Sequence, residues 1–117
     1  MAELLFSVPN GGFRTAKTGA MMQYEGQVRG VSDLILLFPS GGKASLCIEM
    51  KVPKKKGSRA GHQSESQEAW QKLVESYGSC YVVCHGLVEF VTEVCLYLRI
   101  DPEPFVEKAL NQYPLYR

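Results

Sequence analysis

The chain has 117 residues, 45% of them hydrophobic, and a net charge of +1, enough for one domain with a single core. That charge neither requires nor rules out a nucleic-acid partner. The four cysteines, Cys47, Cys80, Cys84 and Cys95, form no Cys-x-x-Cys pair and only His62 and His85 could join them, which excludes a zinc site and favours buried free thiols in a reducing compartment. No signal peptide and no apolar run of membrane length is visible, so a cytoplasmic location without a membrane partner is expected.

In chain order, Leu4 to Val8 reads as a short strand and Pro9 to Gly12 as a turn. Thr15 to Tyr24 reads as a short helix ending before Gly26. Two apolar runs, Ser32 to Phe38 and Ala44 to Lys51, flank Pro39-Ser40-Gly41-Gly42 and form a hairpin signal. Val52 to His62 is a basic, glycine-containing loop. Ser64 caps a helix that has Gln67 at the capping-box position and Ala69, Trp70, Leu73 and Val74 at helical spacing. That helix ends at Gly78. Cys80 to Cys84 reads as a buried strand, Leu87 to Leu98 as a second apolar-striped helix, and Phe105 to Gln112 as a final short one after Pro102 and Pro104. The order predicts an α/β domain with a mixed sheet flanked by helices.

The hairpin carries the chemistry. With its turn centred on Gly41, Asp33 and Glu49 are equidistant from the centre and face each other. Strand alternation puts Glu49 and Lys51 on the same face. Surface hairpins often carry cross-strand charge pairs for solubility alone, but those pairs are of opposite sign. Here acid faces acid among apolar neighbours. Two close carboxylates stay ionised most readily with a cation between them, and oxygen donors suit Mg²⁺ or Mn²⁺. The main-chain carbonyl of Met50 offers a further oxygen. Lys51 either acts on the reacting group or is simply the first cation of the basic loop.

The segments Gly30-Val31-Ser32-Asp33-Leu34, Ile48-Glu49-Met50-Lys51 and Ser64-Glu65-Ser66-Gln67-Glu68-Ala69-Trp70 together resemble the virus-type replication-repair nuclease (VRR-NUC) domain of the PD-(D/E)XK superfamily. Val8-Pro9-Asn10-Gly11-Gly12 resembles the start of that domain. The likeness spans about residues 8 to 98, leaving 99–117 as a C-terminal extension of one domain, 1–117. Ser32-Asp33 stands at the family's "PD" position. One departure is visible: many relatives carry an acidic helix before the Pro-Asn segment, and only Glu3 is available there.

The resemblance implies a restriction-endonuclease-like core in which Asp33, Glu49, Lys51 and Gln67 form the catalytic set, with Asp33, Glu49 and the Met50 carbonyl on the metal. Gln67 thus has two readings, helix cap and active-site residue. Asn10 can serve the turn or touch substrate. Lys54, Lys55, Lys56 and Arg59, with Arg14 upstream, are candidate phosphate contacts, because an acidic site alone would repel DNA. His62, Gln63 and Ser64 border the site and are weaker candidates for DNA contact.

The function expected is Mg²⁺-dependent hydrolysis of DNA phosphodiesters, with Mn²⁺ as substitute. The resemblance adds structure selectivity for branched DNA such as Holliday junctions, a homodimer, and a phage or mobile-element setting in the host cytoplasm. The alternatives are a non-catalytic nucleic-acid-binding module and a nuclease subunit whose substrate choice needs another protein.

Overall fold

The computed structural model describes residues 2–9, 28–52 and 63–116. The helix expected over Thr15 to Tyr24 lies outside these residues. So do Asn10, Arg14, Lys54, Lys55, Lys56, Arg59 and His62.

Among the described residues, four strands form one sheet in the order β1-β2-β3-β4: β1 (Leu5–Ser7), β2 (Leu34–Leu36), β3 (Leu46–Met50) and β4 (Cys80–Cys84). The first two pairings are antiparallel and β3 runs parallel to β4, so the sheet is mixed. Helix α1 (Glu65–Ser76) makes the β3-to-β4 crossover; α2 (Leu87–Tyr97) and α3 (Glu103–Gln112) follow.

The hairpin register pairs Leu34 with Ile48 and Leu36 with Leu46, so the next pair outward is Asp33 with Glu49. The turn reaches this register by a different route from the one expected. It is a two-residue turn, with Ser40 bridged to Lys43 and positive φ at both Gly41 (59°) and Gly42 (82°). Two left-handed residues match the twist of a hairpin, and glycine adopts them without a Cβ penalty. Carried inward without interruption, such a turn would shift the strands by one residue. Instead Leu37, Phe38 and Pro39 oppose only Ala44 and Ser45. The extra residue acts as a bulge and returns Asp33 to its place across from Glu49.

Alternation gives the sheet two faces. Leu36, Leu46, Ile48 and Cys84 form the buried cluster on one, packed against Phe90, Val94, Tyr97 and Leu98. Helix α2 is anchored at its far end to the hairpin: the Tyr97 hydroxyl donates to the Phe38 carbonyl at 2.5 Å, and Ser40 Oγ donates to the Tyr97 carbonyl at 2.6 Å. The other face carries Cys47, Glu49 and Tyr81, with Cys47 and Tyr81 in register. Helix α1 covers it, and Trp70 meets Tyr81 edge-on at 6.1 Å between ring centres. Trp70 is half-buried rather than fully enclosed.

All four cysteines are free; Cys47, Cys84 and Cys95 are buried and Cys80 is half-buried. Burial pushes the Cys84 thiol up to about 11. Of β4, only Tyr81 and Cys84 are fully buried. Among the described residues, no helix is long and apolar enough to cross a membrane.

Candidate active site

Strand β3 delivers Glu49 to the α1 side of the sheet, where it is 2% exposed. Lys51, just past the strand, returns to the same side with its side chain 17% exposed. Asp33 lies immediately before β2, and its Oδ2 accepts a 2.8 Å hydrogen bond from the Met50 backbone N–H. This bond ties the loop before β2 to the end of β3 and fixes the Asp33 carboxylate beside Glu49.

Gln67 reaches the pair from α1. Its Nε2 donates to Glu49 Oε1 at 2.6 Å, and its Oε1 accepts from Lys51 Nζ at 2.8 Å. The same Oε1 accepts from the Ser64 backbone N–H at 2.9 Å, while the Gln67 backbone N–H donates to Ser64 Oγ at 3.3 Å. The capping box expected at Ser64 is therefore complete, and the glutamine that closes it also joins the site. The two readings of Gln67 do not compete, because an amide offers two donors and two acceptor positions. Lys51 Nζ lies 3.7 Å from Glu49 Oε1.

The electrostatics are unusual for a carboxylate. Burial, and then the neighbouring charge of Asp33, push the Glu49 carboxyl up to about 7, with Lys51 opposing. Its second oxygen, Oε2, is buried and has no hydrogen-bond partner among the described residues. The Tyr81 hydroxyl, which lies beside Glu49 and Gln63, likewise makes no hydrogen bond as short as 3.5 Å among the described residues. Burial and the nearby carboxylates push Tyr81 up to about 12, so it stays neutral. An unmatched carboxylate oxygen in the interior is costly to leave unpaired and marks a position for a positively charged ligand.

Asp33, Glu49, Lys51 and Gln67 thus meet in one cluster, with the main chain of Met50 among them. Gln63 and Ser64 stand at the border, just before and at the start of α1: Gln63 Nε2 donates to Gln71 Oε1 at 2.8 Å and lies beside the Tyr81 hydroxyl, and Ser64 is the cap. Among the described residues, no group of three or more His, Cys, Asp or Glu is placed to share a metal. Tyr81 was not anticipated in this neighbourhood. Its place follows from the parallel β3–β4 register, which no local motif encodes.

The family model of the VRR-NUC domain matches residues 5–87. The chain belongs to the VRR-NUC family. This membership places it among nucleases. A solved structure described as a VRR_NUC domain protein superposes with a TM-score of 0.68 at 19% identity, covering 84% of this chain and 70% of the other, so the two share a fold. No curated protein sequence matches the chain. In this VRR-NUC chain the matched segment holds every member of the cluster just described.

Proposed function

We propose that this VRR-NUC chain is a divalent-metal-dependent DNA endonuclease selective for branched DNA such as four-way junctions, working as a homodimer. The observation that carries the reading is Glu49: a buried carboxylate held by Gln67 on one oxygen, with no hydrogen bond to the other among the described residues, and with a second carboxylate alongside. The donor set fits a hard cation. Asp33, Glu49 and the Met50 carbonyl would hold Mg²⁺ or Mn²⁺, with the remaining positions left to water and phosphate. When bound, such an ion supplies charge that polarises the phosphate and lowers the pKa of a water.

The protein's own groups do the rest. Gln67 holds the Lys51 ammonium and the Glu49 carboxylate in a fixed relation. Lys51 presents a preorganised cation to the attacking water or to charge developing on the phosphate oxygens. Lys54, Lys55, Lys56 and Arg59, with Asn10 and Arg14, are the proposed grips on the DNA backbone, and His62, Gln63 and Ser64 are proposed as further DNA contacts. A binding module without catalysis would have no use for Asp33, Glu49 and Lys51 together.

Dimerisation is supported by apolar surface on and after α2: Leu96 is 55% exposed, Ile100 42% and Phe105 49%. Two sites related by a two-fold axis match the symmetry of a four-way junction. The setting this suits is phage or mobile-element replication, recombination or repair. The test is cleavage of a labelled panel of linear duplex, flap, fork and four-way junction with Mg²⁺ or Mn²⁺. Preferred cutting of branched DNA is expected. No cleavage of any substrate overturns the nuclease reading, and equal rates on duplex and junction overturn the selectivity.

A further inference from the structure

We propose that Gly30 is a positioning residue of the site, acting through Gln67; its consequence for cleavage rests on the nuclease reading above. Gly30 has a φ of +78° and its main chain lies flat against the first turn of α1. A Cβ built there would stand 2.2 Å from the Ser66 carbonyl oxygen, 2.5 Å from its carbon and 2.9 Å from the Gln67 nitrogen. All three atoms are main chain, so no rotamer change relieves the conflict. Any side chain at this position must displace the helix turn that carries Gln67.

The contact joins the segment that leads into Asp33 to the helix turn that carries Gln67. From Gly30 the chain runs through Ser32, which is fully buried, directly into Asp33. Opposite it, Gln67 makes bonds of 2.6 Å to Glu49 and 2.8 Å from Lys51. Hydrogen bonds weaken steeply with a displacement of even about half an ångström from such lengths, and a shift of about 1 Å in a positioning group reduces turnover. The residues around the contact on the helix, Ser64, Glu65 and Ser66, are exposed. The turn therefore has room to move outward, and the strain falls on the placement of Gln67 rather than on the core. Glycine at position 30 sets how deeply Gln67 reaches.

The test compares wild type, Gly30→Ala, Gln67→Ala and the double variant. The first readout is independent of catalysis: the side-chain amide signal of Gln67 in ¹H–¹⁵N spectra. Gly30→Ala is expected to fold and to move that signal towards the position of a solvent-exposed glutamine. On the branched substrate cut by wild type, kcat is expected to fall about tenfold with KM changed less than about twofold. The double variant is expected to be no slower than Gln67→Ala, because both changes remove the same interaction. Gly30→Asn is expected to match Gly30→Ala, since asparagine tolerates a positive φ but still carries the Cβ. The proposal is overturned by an unmoved Gln67 amide, by multiplicative losses in the double variant, by recovery in Gly30→Asn, or by failure of Gly30→Ala to fold. If wild type cuts nothing while the amide still moves in Gly30→Ala, the positioning role stands and the nuclease reading fails.

Discussion

Lys51 Nζ and Glu49 Oε1 stand 3.7 Å apart and are joined through one amide, Gln67, which donates to the acid and accepts from the base. A direct, shorter ion pair would bind the two charges to each other. The intervening neutral group keeps both in place and leaves Glu49 Oε2 and the outer protons of Lys51 for other partners. The geometry separates the work of orienting charges from the work of neutralising them.

Removing either carboxylate should abolish metal-dependent cleavage without unfolding the protein. Asp33→Ala and Glu49→Gln are expected to lower cleavage at least about 10²-fold. Mn²⁺ is expected to raise the thermal midpoint of the wild type, and both variants should lose that rise. Because the two acids repel, Glu49→Gln should not melt below the metal-free wild type at pH 8, whereas Asp33→Ala also gives up the bond from the Met50 N–H, which should offset part of that gain. Full activity in both variants would remove the metal assignment.

Stability should depend on pH through Glu49. Its carboxyl is raised from 4.5 to about 7 in the fold, so the folded state holds the proton more tightly than the unfolded chain. The resulting stabilisation is present in full below pH 4.5 and is lost as pH rises through about 7. In metal-free protein the midpoint of wild type should therefore fall relative to Glu49→Gln across this window, then run parallel above it. A difference curve that stays flat from pH 4 to 8 would show that Glu49 titrates normally.

Lys51→Ala should reduce kcat by roughly 10² while leaving DNA affinity nearly unchanged, as for a contact made to developing charge. Gln67→Ala should do less, since Lys51 and Glu49 persist without their brace. Loss of binding at constant kcat would assign Lys51 to the basic loop instead. Single-turnover cleavage beside equilibrium binding separates the two.

Leu96→Glu and Phe105→Glu should convert a dimer to monomers, because each places a charge on apolar surface that is about half exposed in one chain. Light scattering at micromolar concentration measures the assembly directly. The monomeric variants should lose paired incision of a four-way junction more than nicking of one strand. A wild type that is monomeric throughout would overturn the dimer.

The hairpin and α1 were legible because their signals are local. Gly41-Gly42 between apolar runs marks the turn, Ser64 and Gln67 mark the helix start, and alternation puts Glu49 with Lys51. What was not legible depends on distant contacts. The bulge that restores the Asp33–Glu49 register opposes Leu37, Phe38 and Pro39 to Ala44 and Ser45, and no residue there announces it. The nearly complete burial of Glu49 requires α1 overhead, and Tyr81 enters only through the parallel pairing of β4. Gly30 reads as an ordinary loop glycine until the first turn of α1 lies against it.

The parallel β3–β4 pairing has a consequence for the order in which this chain acquires its parts. A hairpin closes a short loop, whereas the crossover through α1 must bring remote segments together and closes later. The two acids are therefore juxtaposed by the cheapest contact in the fold, and their brace arrives with one of the most expensive. The converse holds for partial opening of the folded protein. Lifting α1 from the sheet would free Gln67 and wet Glu49 while the hairpin stayed paired, leaving a competent-looking acidic pair with no means of orienting Lys51. In native-state hydrogen exchange the α1 amides should then open at lower free energy than those shared by β2 and β3.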